Sequence, residues 1–198
     1  MITQRRKKAI LIYILGLISA VQFSSCGYNS MIEKEERIKS QWAQVENAYQ
    51  RRSDLIPNLV NTVKGAANFE KSTLTEIAEA RAKASSIQVD ASNLTQEQLD
   101  AFQKNQDALG RSIGRLLMTV ESYPDLKSNQ NFRELQSQLE GTENRIAVER
   151  NKFNEATEDY NVYTRKFPNN ITAWLFSFKQ KPYFKAREGS EKVPEVKF

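Results

Sequence analysis

Glu143 and Arg150 stand seven residues apart, with Asn154 one turn further on and Asn144 beside Glu143, so a helix through this stretch would gather them along one side. Much earlier in the chain Arg52, Asp54 and Asn58 form a second polar set. Two such sets on facing helices would make a pocket of charged and amide groups able to hold a small ligand or a peptide end. The same residue types serve equally to hydrogen-bond helices into register, or simply to face water. These alternatives stay open on the sequence alone.

Other chemistry is harder to find. Glu70, Glu76, Glu79, Glu143 and Glu149 offer carboxylates of the kind a glycan-cleaving acid–base pair needs, but nothing in their spacing singles out two of them. Histidine is absent, which removes the usual general base at neutral pH and the commonest metal ligand. Serine and lysine are plentiful without a Ser-x-x-Lys arrangement in supporting motifs or a Gly-x-Ser-x-Gly elbow. Seven glycines form no phosphate-cradling loop, and no acidic loop has calcium-binding spacing. The single cysteine, Cys26, excludes an internal disulfide and a multi-cysteine metal site. The expectation is a non-catalytic protein without cofactor or metal, with a carboxylate-based hydrolase as the alternative.

The elements that would position these groups are helices. Phe132, Leu135, Leu139, Thr142, Ile146, Phe153, Ala156, Tyr160, Tyr163 and Phe167 recur at three and four residues, the period of one helix face, over about 35 residues or roughly 50 Å. Ile38, Trp42, Val45, Tyr49, Ile56, Leu59 and Val63 make a second stripe that runs through Pro57, predicting one long helix with a local irregularity there. Leu74 to Ala84 predicts a shorter helix, and Ser85 to Asn93 a connecting loop. Thr95 with Gln98 is a capping-box signature opening a helix on Leu99, Phe102, Leu109, Ile113, Leu116 and Val120. Gly110 and Gly114 within it read as a place where two helices approach closely. Tyr123-Pro124 ends that helix, Ser128 or Asn129 caps the next, and Pro168 stops it. Ile171 to Phe178 is a short amphipathic segment. Trp174, Phe176, Phe178, Tyr183 and Phe184, with Lys179, Lys181 and Lys185, suit a cap over the bundle end, or contact with a membrane or partner helix. Long single-striped helices must lie against one another, so the fold class is all-α: an antiparallel bundle of about four long helices over residues 27–178, with an extended tail at 179–198.

The formal charge of +5 misleads. Arg5, Arg6, Lys7 and Lys8 precede any acid, and without them the 29 basic residues nearly balance the 24 acidic ones, so no nucleic-acid-binding face is indicated. That basic cluster leads into an uncharged apolar run. Its about 12 residues from Ile10 to Val21 would cover roughly 18 Å of a ~30 Å hydrocarbon core, the length of a signal h-region. Phe23-Ser24-Ser25-Cys26-Gly27 then resembles the lipobox of bacterial lipoproteins, with Phe23 where leucine is usual. Residues 1–25 are therefore read first as a lipoprotein signal with Cys26 as the lipidation site. An uncleaved membrane anchor and a plain secretory signal are the alternatives. Under the first two the domain stands outside the cytoplasm on a tether.

From about Trp42 to Phe198 the chain resembles the LemA family. The resemblance rests on Arg52 with Asp54-Leu55-Ile56-Pro57-Asn58-Leu59-Val60, on Ala80-Arg81-Ala82, and on Tyr123-Pro124-Asp125-Leu126. It continues through Thr142-Glu143-Asn144, Arg150, Asn154, Tyr160-Asn161, Phe167-Pro168 and Val196-Lys197-Phe198. It implies an antiparallel helical bundle outside the cytoplasmic membrane on an N-terminal anchor, and brings no agreed activity. Many members look like single-span proteins, so the lipobox-like cysteine bears on the mode of anchoring. The expected function is a membrane-anchored envelope protein in a structural or adaptor role, meeting envelope protein partners and free to self-associate. The alternative is a binder of a small molecule or peptide at the polar cluster.

Overall fold

The computed structural model describes residues 2–65 and 69–186, with side chains from Gly27 onward. The side chains of the basic cluster and of the lipobox-like Cys26, and the closing Val196-Lys197-Phe198, lie outside what is described. The helices are α1 (Ile2–Lys64), α2 (Lys71–Ser86), α3 (Gln96–Val120), α4 (Pro124–Ser128), α5 (Gln130–Arg165) and α6 (Asn169–Leu175), with no strand among the described residues. The fold is the all-α bundle expected from the stripes. Among the described residues no helix is long and apolar enough to cross a membrane.

α1 and α5 pack along their length, as do α2 and α3. The Lys34–Asp159 ion pair at 2.6 Å and the Arg52–Glu143 pair show α1 and α5 running antiparallel. Thr95 and Gln98 close the capping box of α3, and Asn129 caps α5, its Oδ1 accepting from the Phe132 amide at 3.2 Å. The Tyr123-Pro124 stop is more elaborate than expected. α3 ends at Val120, and Pro124 opens the short α4, whose Leu126 is buried. The connecting loop begins after Ser86 and contains a 3-10 turn at Ala91–Asn93.

Pro57 leaves α1 unbroken. Proline has no amide hydrogen, so the Ser53 carbonyl four residues earlier loses its helical donor. Arg81 of α2 supplies one, its Nε donating to that carbonyl at 3.0 Å. The irregularity in one helix thus becomes the attachment of another. Arg81→Ala is expected to cost about 1–3 kcal/mol, the penalty of a carbonyl left without a donor. Urea melts of Arg81→Ala indistinguishable from wild type would refute this account.

The core falls into two apolar clusters stacked along the bundle. One is built on Trp42, Tyr49, Phe102, Ile146, Phe153 and Phe184, with Trp42 meeting Phe102, Phe153 and Phe184 at 5.2–5.9 Å between ring centres. The other is built on Ile56, Leu59, Val63, Leu109, Leu116 and Leu139. Phe167, placed on the stripe of the last helix by spacing, is 80% exposed because α5 ends at Arg165, before the stripe reaches it.

Candidate functional site

Between the two apolar clusters lies a polar layer. On α1 it falls between Tyr49 and Ile56, on α3 between Phe102 and Leu109, on α5 between Leu139 and Ile146. Its centre is Arg52, only 1% exposed. The Arg52 guanidinium pairs with Glu143 and donates to the Gln106 carbonyl at 2.9 Å and to Gln106 Oε1 at 2.8 Å. It also lies 5.1 Å from the centre of the Tyr49 ring. Gln106 turns its amide to the Ala84 carbonyl at 3.4 Å. One buried charge therefore joins α1 to α3 and α5, and Gln106 carries the link on to α2. Each bond is charge-assisted or buried, which makes the layer stringent about register.

The other predicted site residues are elsewhere. Asp54 is exposed and accepts from Gln50 at 2.7 Å within α1. Asn58 is exposed too, its carbonyl taken by Thr62 at 2.9 Å. Asn144 lies beside Glu143 on a groove described below. Arg150 and Asn154 do not reach Arg52; they hold the chain's own tail. Asn154 receives the Phe184 amide at 2.9 Å and donates to the Phe184 carbonyl at 3.1 Å, as a neighbouring β-strand would. Two turns later Asn161 does the same to Lys181, at 2.9 and 2.8 Å. Arg150 donates to the Lys185 carbonyl at 2.9 Å and lies 4.7 Å over the Phe184 ring. Residues 179–186 are thus strapped along α5, and Phe184 enters the core. The peptide this polar face grips is its own.

The Tyr160 hydroxyl completes the strap, donating to the Lys179 carbonyl at 3.0 Å. Burial first, and the nearby Glu35 charge second, push its pKa up to about 12 from the usual 10.0. Below the unfolded value the phenol is neutral in both states, so its contribution is intact. As pH climbs from there toward the folded value, the unfolded chain ionises first and stability is lost. Tyr160→Phe should shed less stability than wild type between about pH 9 and about pH 11. Equal losses in urea melts at the two pH values would contradict the assignment.

The five carboxylates proposed as acid–base candidates are dispersed. Glu143 pairs with Arg52, Glu76 with Arg115 at 2.6 Å, and buried Glu149 with Arg145 at 2.7 Å and Lys152 at 3.3 Å. Glu70 accepts from Thr73 at 3.2 Å, and Glu79 is exposed. Among the described residues no three carboxylate or thiol side chains gather as a metal ion's ligands would.

A groove of about 1200 Å³ opens where α3 and α5 stand apart, walled by Lys104, Leu117, Leu139 and Asn144 and reaching Arg52 and Glu143. It continues past Leu117 into a hollow of about 630 Å³ beside Phe132 and Gln136. Gly110 and Gly114 line it. A Cβ on Gly110 would meet only the Arg52 guanidinium at 3.6 Å, and one on Gly114 would meet nothing within 4 Å. These glycines do not mark a close helix crossing, as their spacing suggested; they leave the groove open.

A family model described as "LemA family" matches residues 41–198. The chain belongs to the LemA family. Magnetosome protein MamQ 2 of Paramagnetospirillum magneticum is similar at 23% identity over 201 residues, 92% of this chain and 73% of the relative. Magnetosome protein MamQ of Magnetospirillum gryphiswaldense aligns at 24% identity over 88% of this chain and 71% of its own. Protein LemA of Metamycoplasma hominis aligns at 24% identity over 81% of this chain and 69% of its own.

In this LemA-family chain the residues that carry the resemblance act mainly as joints. Arg52 binds three helices, Pro57 and Arg81 tie α2 to α1, Asn129 starts α5, and Arg150, Asn154 and Asn161 bind the tail. Gln106 was absent from the predicted site. Gln106 is a polar residue at a stripe position between Phe102 and Leu109, and that interruption was the available signal.

Proposed function

We propose that this LemA-family protein is a membrane-tethered structural or adaptor protein of the cell envelope, and that the groove between α3 and α5 receives an extended segment of a partner protein. The observation that carries this is Gly114. Inside a helix, glycine costs about 1 kcal/mol relative to alanine, yet here it faces open space in a groove of about 1200 Å³. The groove walls mix apolar Leu117 and Leu139 with charged Lys104, Asp107, Arg111 and Glu140, which suits a peptide better than a small apolar ligand.

The test places a photo-crosslinking residue at Leu117 in the full chain in its native membrane, with and without Gly114→Leu, which fills the groove. Expected is a discrete protein adduct at position 117 that disappears in Gly114→Leu, while an adduct from exposed Glu79 is unchanged. An adduct indifferent to Gly114→Leu would defeat the groove reading. The second reading, a small-molecule binder, is favoured by the Arg52, Glu143 and Asn144 groups that line the groove. It predicts a bound small mass in native mass spectra, lost in the same variant. Tethering is tested by the intact mass of the membrane-purified protein beside Cys26→Ala. A chain starting at Cys26 with added acyl mass supports lipidation; an unmodified chain retaining residues 1–25 supports a spanning anchor.

A further inference from the structure

The end of the bundle where α1 enters is finished differently from the rest. After α5 the chain turns through Phe167 and Pro168, and α6 packs against α1 and α5. Gly27 lies against it, where a Cβ would meet Asn169 Oδ1 at 3.2 Å and Thr172 Oγ1 at 3.7 Å. α6 buries Thr172 and Ala173 and leaves its apolar side chains outside. Trp174 is 81% exposed, and Phe167, Ile171, Leu175 and Phe176 are exposed with it. Tyr28 of α1 joins them, its ring 4.7 Å from that of Phe176. The expected aromatic cap is therefore split. Phe184 enters the core and Phe178 packs against it, whereas Trp174 and Phe176 face away. An apolar group of this size gathered at one end marks a contact surface.

Three observations name what it meets. First, α1 runs on from Gly27 toward Ile2 without a break, and Val21, the end of the apolar run, is only about 9 Å of helix away. A lipidated Cys26 or an uncleaved span would both put this end at headgroup level. Second, the residue types are those of the membrane interface, with tryptophan, phenylalanine and tyrosine among aliphatic side chains. Third, no acidic residue occurs between Asp159 and Glu188, while Arg165, Lys166 and Lys179 flank the patch and are exposed. That charge suits anionic phospholipid.

We propose that α6 with its flanking aromatics is a membrane foot, resting in the headgroup layer of the bilayer that holds the N-terminal segment. The foot sets the bundle at a fixed attitude to its membrane instead of leaving it to swing on a tether. This rests on the proposed tether and adds a second, non-covalent contact.

The two tryptophans make the test. Trp42 is 1% exposed and Trp174 is 81% exposed, so the difference between wild type and Trp174→Phe isolates Trp174 emission. The full chain is reconstituted into vesicles of phosphatidylethanolamine and phosphatidylglycerol, some carrying a quencher high on the acyl chain. Expected is flotation with the vesicles, loss of most Trp174 emission to the lipid quencher, and protection of Trp174 from aqueous acrylamide. Flotation with Trp174 open to acrylamide and untouched by lipid would overturn the foot and leave the tether standing. Trp174 shielded from both quenchers would mean a protein contact, such as a second copy, and would also overturn it. A chain that does not float would remove the tether and the foot together.

Discussion

Arg52→Ala is expected to destabilise the bundle by about 3–5 kcal/mol, the range for breaking a buried ion pair by removing one partner. The variant leaves the Gln106 carbonyl and side-chain oxygen without their donor and opens a space against Tyr49. Glu143 is 38% exposed, so water can reclaim that end, and most of the cost falls on the Gln106 side. Arg52→Lys should recover only part of it, because an ammonium cannot reproduce the forked contact to Glu143 and Gln106 at once. Urea melts of the three proteins decide the matter, and a loss below about 1 kcal/mol for Arg52→Ala would show that the layer is not a joint. A further outcome separates stability from specificity. Replacing Arg52, Gln106 and Glu143 together by Met, Leu and Leu should restore much of the stability while loosening helix register, visible as broadened side-chain resonances.

Phe184→Ala is expected to cost about 3–5 kcal/mol, the usual range for emptying a buried phenylalanine site. The ring stacks on Trp42 at 5.9 Å and meets Phe153 edge-on at 5.4 Å, and the Arg150 guanidinium lies over it at 4.7 Å. The loss has a ceiling: a tail that stops paying its way in the core can peel from α5, and no more can be lost than docking the tail contributes. Peeling would uncover Trp42, so its emission should shift to the red and become accessible to acrylamide before the bundle itself melts. A Phe184→Ala protein with wild-type melts and emission would show that the tail merely lies on the surface. Asn154→Ala should produce the same change in milder form, because it removes two hydrogen bonds to Phe184 and leaves the ring.

Much of this architecture is legible in the chain. A stripe at three- and four-residue spacing states which side of a helix is dry, and Thr95 with Gln98 or Asn129 before Phe132 states where a helix begins, because these are local relations settled within one or two turns. Pro57 was legible as an irregularity, though not as the attachment point of Arg81, since the orphaned Ser53 carbonyl finds its donor 28 residues away. Arg150 and Asn154 were legible as polar residues on a helix side. Their duty toward the tail was not, because an extended strand has no periodic signature to match against them. Gly110 and Gly114 were misread as a crossing for a related reason. Small residues four apart show that a helix surface is low, and the same low surface serves a tight crossing or an open groove.

By itself, then, the sequence determined an all-α bundle, the dry side of each long helix, and several of their caps. Only the tertiary structure decided that the polar interruptions of three stripes coincide in one layer at Arg52, that the last helix grips its own tail, and that α3 and α5 stand apart. The physical reason is that a helix encodes its own faces in the order of its residues, whereas which faces meet depends on the packing of all the helices at once.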